Sequence, residues 1–384
     1  MSEERPIWIS AGELSGDMHG AGLIAALRKR DPALEFIGMG GPYMAEQAGF
    51  SPLFRIEELS VMGVTEVLRQ LPRILGLLSR IKKALAARRP RAIIVIDAPS
   101  FHFRVIKAAR ELGIPVYYYI SPKAWAWQEK RALFIKKNVR RLISILPFEV
   151  PFYKRFGMDI DYVGNPLVDL VNWERIQNIQ PVPGKIGLLP GSREREITSL
   201  TPEFGNAARI LLEKLPGLSF HMVRAPGVTE QQIRDLWPSG VPLAVSPPDD
   251  RYAFMRGCEM LIAASGTVTL EAALTRTPTL VTYKVSPLSY PLMKAVIRVP
   301  YVSLSNLILD KPLFPELLQH DANGANIAAK ALEWLAPSGD APSLSGTSPL
   351  DAVRKELAVL QEKVGEPGAV HRAAAVILDD LRKL

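Results

Sequence analysis

A short apolar run that stops at a turn of small residues and passes straight into a helix start is the feature that most limits how this chain can fold. Residues 186–197 carry it most clearly, reading Ile-Gly-Leu-Leu-Pro-Gly-Ser-Arg-Glu-Arg-Glu-Ile. The run breaks at Pro190-Gly191. Ser192 stands where a helix N-cap would stand, and Glu194 and Glu196 fall in what would be the first helical turn. Glycine lets the backbone approach a ligand, and a helix N-terminus offers N–H groups to an anion. Arg193 and Arg195 add fixed positive charge beside that turn. The pattern is neither Gly-x-Gly-x-x-Gly nor the P-loop. Taken alone, it reads equally well as an ordinary βα loop with solvated arginines.

The same theme recurs on both sides. Residues 7–10 run into Gly12-Glu13-Leu14-Ser15-Gly16-Asp17 and a helix reaching about Arg30, and residues 34–37 run into Gly38-Met39-Gly40-Gly41. Residues 92–96 end at Asp97-Ala98-Pro99-Ser100, 115–120 at Ser121-Pro122-Lys123-Ala124-Trp125-Ala126-Trp127, and 142–146 at Pro147-Phe148-Glu149. Beyond a linker at 162–166, strands are expected within the 186–197 stretch and at 218–222, 243–245, 260–263 and 279–282. The strand at 260–263 leads into Ser265-Gly266-Thr267 and a helix. Strands alternating with helices predict an α/β chain with parallel, doubly wound sheets, whose ligands lie at the C-terminal strand ends. A length of 384 residues suits about two domains. We expect an N-terminal domain over 1–168, a second over 169–335, a Pro/Ser/Gly-rich linker over 336–349 and C-terminal helices over 350–384 packing back on the N-terminal domain.

Composition narrows the function classes. A hydrophobic share of 48% and a charged share of 22% belong to a globular chain with a core. The one cysteine, Cys258, rules out an internal disulfide, which fits a reducing cytoplasm, and it reads as a small core residue. The start of the chain lacks signal-peptide character, and no apolar run reaches the roughly 18 residues of a spanning helix. The five histidines are scattered, with no i,i+4 pair for a metal, and there is no Gly-x-Ser-x-Gly elbow. A net charge of +8 allows nucleic acid, anionic membrane or a phosphorylated substrate as partner, without choosing. Residues 60–89 form a broad amphipathic stretch. Its C-terminal half reads as a helix packed on the sheet. In 61–78, Val61, Met62, Val64, Leu68 and Leu71 could instead face lipid, with Arg69, Arg73, Arg80, Lys82 and Lys83 as cations nearby.

Several residues could carry chemistry. Asp97 ends an apolar strand at the crevice end of a parallel sheet, where it is either a partly desolvated general base or a cap for the next helix. Glu13 could bind substrate, and Asp17 reads as an N-cap. Ser265-Gly266-Thr267 offers hydroxyls and N–H groups for a diphosphate. Glu271 either accepts from a ribose hydroxyl or serves the helix dipole.

Together these motifs point to one family. Gly12-Glu13-Leu14-Ser15-Gly16-Asp17, Ile96-Asp97-Ala98-Pro99, Ser121 to Trp127, Gly164-Asn165-Pro166-Leu167, Leu189-Pro190-Gly191-Ser192-Arg193, and Ser265-Gly266-Thr267 with Glu271 occur in order. In that order the chain closely resembles the lipid-A-disaccharide synthase family, and Asn306 and Pro315-Glu316-Leu317-Leu318-Gln319 fit the same pattern. The resemblance implies a GT-B fold: two Rossmann-like domains with a cleft between them and a C-terminal helix returning to the first. It implies transfer of 2,3-diacylglucosamine from UDP to the 6-hydroxyl of 2,3-diacylglucosamine 1-phosphate, inverting, with no metal or other cofactor. The implied setting is the cytoplasmic face of a bacterial inner membrane, with the enzyme held peripherally.

On that reading Asp97 is the catalytic base, assisted by Glu13. Ser192, Arg193, Ser265, Gly266, Thr267, Glu271 and Asn306 take the UDP, and Gly12, Ser15, Gly16, Asp17 and Asn165 form the acceptor loops. The partners are a UDP-sugar lipid donor, a phosphorylated lipid acceptor and anionic membrane. No nucleic acid is implied, and a homodimer is left open. Ser100-Phe101-His102 departs from the family, many of whose members carry an acidic residue and Asn after Asp-Ala-Pro. Two other readings remain at this level. A soluble UDP-sugar enzyme of the same fold, such as a UDP-N-acetylglucosamine 2-epimerase, would not use the apolar–basic stretch at 61–83. A charge-driven nucleic-acid or membrane module would not use the glycine loops.

Overall fold

The computed structural model describes residues 5–59, 64–285, 290, 299–335 and 348–384, with backbone alone for 64–70 and 127. The chain divides into two compact units, Met1–Pro166 with Glu366–Leu384, and Leu167–Gly365.

The first unit is built on seven parallel strands: β1 (Ile7–Ala11), β2 (Phe36–Gly40), β3 (Phe50–Arg55), β4 (Ala92–Ile96), β5 (Val116–Tyr119), β6 (Arg141–Ser144) and β7 (Asp161–Tyr162). Their order is β3-β2-β1-β4-β5-β6-β7, the doubly wound order that reverses beside β1. Every residue of β1 and of β4 is buried. Such strands read as unbroken apolar runs because helices cover both faces. On one face Trp8, Ile93 and Val95 pack with Leu77, Ile81 and Leu85 of α1 (Val64–Arg88). On the other, Ile7, Ile9 and Ile94 pack with Leu23, Ile24 and Leu27 of the helix Leu14–Arg30 and with Ile377 of the last helix, Ala369–Leu381.

Register then sets the site. Ala11 pairs with Ile96, and Ile96 with Tyr119, so the turns after β1, β4 and β5 emerge side by side.

The second unit repeats the plan with β8 (Val182–Leu189), β9 (Ser219–Val223), β10 (Ala244–Ser246), β11 (Cys258–Ala264), β12 (Thr279–Tyr283) and β13 (Glu316–Leu318). All are parallel, in the order β10-β9-β8-β11-β12-β13. Cys258 is buried, as expected of a small core residue. The strands that sequence periodicity misses, β3, β7 and β13, are edge or near-edge strands. β3 buries only Phe50 and Phe54, and the residues of β7 and β13 are half-buried, so no apolar run marks them.

One expectation needs correction. Both C-terminal helices were expected to belong with the first domain. The helix Pro349–Val364 instead lies in the second unit, burying Leu357, Leu360 and Val364. Only Ala369–Leu381 lies in the first, and the chain turns between them at Gly365 (φ 91°) and Gly368 (φ 92°).

The amphipathic stretch is also split. Leu77, Leu78, Ile81 and Leu85 are core, whereas Leu71 and Leu75 are 43% and 49% exposed. The Arg73 guanidinium donates to the Glu57 carbonyl at 3.2 Å, and Arg80 pairs with Glu58 and lies over the Phe54 ring. Those two cations are therefore committed within the unit. Val61 and Met62 lie outside the described residues, and the side chains of Val64, Leu68 and Arg69 do too. So do residues 286–289, 291–298 and linker residues 336–347.

Candidate active site

The sharpest local feature of the first unit is the turn from β4 into α2 (Pro99–Glu111). Asp97 and Ala98 are consecutive non-glycine residues in the left-handed region, at φ 47° and 44°. Each such residue costs about 1–2 kcal/mol against the ordinary conformation. Ala98, not Asp97, stands at the N-cap of α2, so Asp97 lies one residue before the cap position. Gly12 is required here for space: a Cβ on it would meet the Ala98 Cβ at 2.3 Å.

The Asp97 carboxyl lies against Glu13 and the Ala98 N–H. Burial pushes it up to about 6, the hydrogen bond and negative charge of Glu13 push the same way, and Lys123 opposes. A carboxyl beside a second acidic side chain at a buried strand end is the arrangement that tunes an acid toward neutral pH. Ser15 donates to Glu13 Oε1 at 3.1 Å, holding the first turn.

The Asp97 carbonyl is equally engaged. It accepts from the Tyr118 hydroxyl at 2.9 Å and lies 2.7 Å from His102 Nδ1. His102 is fully buried, and burial pushes it down to about 4. A carbonyl cannot donate, so Nδ1 carries the proton. The neutral ring then presents Nε2 as acceptor for the Ser10 hydroxyl at 3.0 Å.

Asp17 is not a cap of its own helix. It sits inside Leu14–Arg30, fully buried, and its carboxylate accepts from the N–H groups of Gly41, Tyr43 and Met44 at 2.6, 2.9 and 3.3 Å. It ties the first glycine loop to the second. Gly16 packs beside Ala11 and Ile96. Asn165 is buried and donates to the Ile145 carbonyl at 3.1 Å, fixing the exit of the unit.

Behind Lys123 lies a group that sequence reading passed over. Glu149 is 1% exposed and accepts from Trp125 Nε1 at 3.0 Å and from Ser144. Burial pushes it up to about 7, against those bonds and Lys123. Glu149 thereby anchors the tryptophan-rich turn. Its signal, a lone acid after an apolar strand, is the same one that marks Asp97.

In the second unit the opening stretch folds as strand, turn and helix, with one change. Arg193, not Ser192, is the N-cap of α3 (Glu194–Lys214). Gly191 takes φ 111°, and a Cβ there would meet Glu196 Oε2 at 2.3 Å. That oxygen accepts from the N–H groups of Ser192 and Arg193 at 3.1 and 3.3 Å, and Oε1 takes the Arg193 guanidinium at 2.9 Å. The N–H groups expected to be open are thus filled by the chain's own carboxylate. The Arg193 side chain remains 80% exposed.

The helix α4 (Thr267–Leu274) is different. It starts at Gly266, where no side chain caps it, Gly266 and Thr267 are exposed, and a Cβ on Gly266 would meet nothing within 4 Å. Ser265 is held by its N–H to the Thr282 carbonyl at 2.8 Å. Glu271 lies beyond the first turn, 6% exposed, with Oε1 taking Arg251 at 2.5 Å and the Tyr252 hydroxyl at 3.3 Å. Burial raises its carboxyl while Arg251 opposes. Its partners are thus protein groups, and the helix-dipole reading does not apply.

Asn306 is fully buried. Its amide is spent on the main chain of Phe314 at 2.8 and 2.9 Å and on Glu316 at 2.9 Å, so it is a staple of the 303–316 loop. Glu316 also takes the N–H groups of Val302 and Ser303. Among the described residues no group of three or more His, Cys, Asp or Glu side chains could hold a metal.

Comparison with known proteins agrees with this architecture. A family model described as lipid-A-disaccharide synthetase matches residues 7–342. The lipid-A-disaccharide synthase of Geobacter sulfurreducens is 38% identical over 385 residues, covering 98% of this chain and 97% of that one. That of Myxococcus xanthus is 38% identical over 390 residues, covering 99% and 98%. Among solved structures, the calicheamicin glycosyltransferase CalG4 superposes with a TM-score of 0.62 at 14% identity, covering 100% of this chain and 99% of that one. The Neisseria meningitidis UDP-GlcNAc 2-epimerase bound to UDP-GlcNAc gives 0.60 at 14% identity, covering 99% and 100%. At such identity the likeness speaks to fold, and the fold is GT-B.

Proposed function

The chain belongs to the lipid-A-disaccharide synthase family and is a glycosyltransferase of lipid A biosynthesis, and we propose that it moves 2,3-diacylglucosamine from UDP to the 6-hydroxyl of 2,3-diacylglucosamine 1-phosphate with inversion. The acceptor oxygen attacks the anomeric carbon, the bond from that carbon to the diphosphate breaks, and UDP leaves with the electron pair. The acceptor proton goes to Asp97.

The observation that carries this reading is the Asp97 carboxyl, set at the end of β4 against Glu13 and raised to about 6. It is ionised at neutral pH, yet more basic than an exposed carboxylate, which suits a general base. The leaving diphosphate needs fixed positive charge. Arg193 and the uncapped helix start at Gly266 and Thr267 offer it, with Ser192 and Ser265 flanking. Glu271 acts indirectly, through Arg251. Binding of UDP-GlcNAc by the Neisseria epimerase supports a UDP-sugar donor.

Among the described residues no helix is long and apolar enough to cross a membrane. The acyl chains of both substrates favour the bilayer by about 0.8 kcal/mol per buried CH₂, so drawing them out whole is prohibitive. We therefore propose docking at the cytoplasmic face of the inner membrane through the N-terminal part of α1, where Leu71 and Leu75 face solvent.

Purified enzyme with both lipid substrates should yield equal amounts of UDP and lipid A disaccharide 1-phosphate by mass spectrometry, with EDTA present or not. UDP release without disaccharide, or 2-epimerisation of UDP-N-acetylglucosamine, overturns the reading.

A further inference from the structure

The backbone of Asp97 is held as deliberately as its side chain. Three elements converge on one carbonyl oxygen: Tyr118 from β5, His102 from α2, and Ser10 from β1 acting through His102. The helix does not need the imidazole for its own start, because the Ala98 carbonyl already accepts from the N–H groups of Phe101 and His102 at 3.1 and 3.0 Å. An apolar residue would fill the same buried space without desolvating a ring. What the ring adds is one proton, spent on the Asp97 carbonyl. The turn is built from Asp97 and Ala98 in the left-handed region with no glycine to relax it, so an external hold is needed to keep it there.

We propose that His102, oriented by Ser10 and seconded by Tyr118, is a positioning residue for glycosyl transfer, fixing the left-handed turn through the Asp97 carbonyl so that the carboxylate stays aimed beside Glu13. This rests on the reading of Asp97 as the base. Neutrality is part of the device: burial keeps His102 uncharged near physiological pH, so it aims Asp97 without depressing its basicity, as an imidazolium would.

The test compares His102→Leu, which fills the space without a donor, with His102→Asn, which returns an N–H near the former Nδ1. In His102→Leu we expect kcat to fall roughly 10- to 100-fold with KM for both substrates nearly unchanged, the scale of a misaligned reacting group. The charged groups facing Asp97 are Glu13 from the turn after β1 and Lys123 from the turn after β5; burial holds Tyr118 far above its ordinary value, so it stays neutral. The acid limb of kcat/KM therefore reports the Asp97–Glu13 pair. It should move down by about one pH unit as the carboxylate turns away from Glu13. His102→Asn should restore kcat to within about 3-fold of the parent.

An unchanged kcat and acid limb in His102→Leu overturns the proposal. So does a His102→Asn enzyme as slow as His102→Leu when both melt like the parent. Should His102→Leu fail to fold, Tyr118→Phe removes the other donor. It should lower kcat about 3- to 10-fold with the same downward shift of the limb, and no change overturns the proposal. Asp97→Asn measured alongside separates the two ideas: normal turnover there defeats the base assignment, whereas a dead Asp97→Asn with a normal His102→Leu defeats the positioning role alone.

Discussion

The two units end central strands of their sheets in opposite ways. After β4, the first unit makes its turn from Asp97 and Ala98, which disfavour the left-handed region, and holds it with buried donors from neighbouring elements. After β8, the second unit uses Gly191, which takes φ 111° at little cost, and covers the turn with the exposed Arg193 and its partner Glu196. A group that must receive a proton benefits from a fixed direction and a dry flank. A group that must admit and release a charged diphosphate benefits from solvent and an exchangeable counter-charge. On this view Glu196 keeps the Arg193 seat occupied until a diphosphate arrives. Rigidity and openness are distributed by chemistry, although both units share one strand order.

The comparison can be broken most decisively at the rigid turn. Asp97→Asn keeps the shape and removes the basicity, and should lower kcat by about 100-fold or more with UDP binding intact. The same variant carries a stability signature. The folded carboxyl holds its proton up to about pH 6, above its ordinary 3.8, so ionising it between those values costs the folded state. Asp97→Asn should therefore raise the melting temperature at pH 7 and leave it nearly unchanged at pH 4. Near-normal turnover, or no pH dependence in the stability gain, would place the base elsewhere.

At the open turn the effect should be smaller and should fall on binding. Arg193→Ala should weaken UDP binding by about 1.5–3 kcal/mol in calorimetry, the scale of a charge-assisted hydrogen bond. An unchanged Kd would mean that Glu196 never yields its partner.

Glu13→Gln sharpens the contrast further. Removing the neighbouring negative charge should lower the Asp97 value, so the acid limb of the kcat/KM profile should move down by about one unit. A limb that stays near 6 would make burial alone responsible.

The smallest effect is expected outside both turns. Leu71→Ser with Leu75→Ser should reduce binding to anionic vesicles several-fold while sparing turnover of detergent-dispersed substrate. Equal loss in both assays, with a lower melting temperature, would make these leucines ordinary packing residues.

Sequence alone determined the parallel α/β class, the buried strands at β1, β4, β5, β11 and β12, and the position of Asp97 and Gly191 at strand ends. These follow from local chemistry: an unbroken apolar run demands cover on both faces, and a small-residue turn after it marks where a helix begins. The family was legible too, because its motifs stand in order. Only the tertiary structure decided which partner each carboxylate takes. Asp97, Glu149, Asp17, Glu196, Glu271 and Glu316 look alike in the sequence. Folding commits Asp17 to the Gly41 turn, Glu196 to its own helix start, Glu271 to Arg251 and Glu316 to the Ser303 loop. It buries Glu149 on Trp125 and leaves Asp97 facing Glu13. Asn306, equally readable as a ligand group, becomes a staple. The edge strands and the split between the last two helices were decided there as well. The reason is common to all: the partner that satisfies each group lies in another turn or element, and its approach depends on strand register and close packing, which no local spacing encodes.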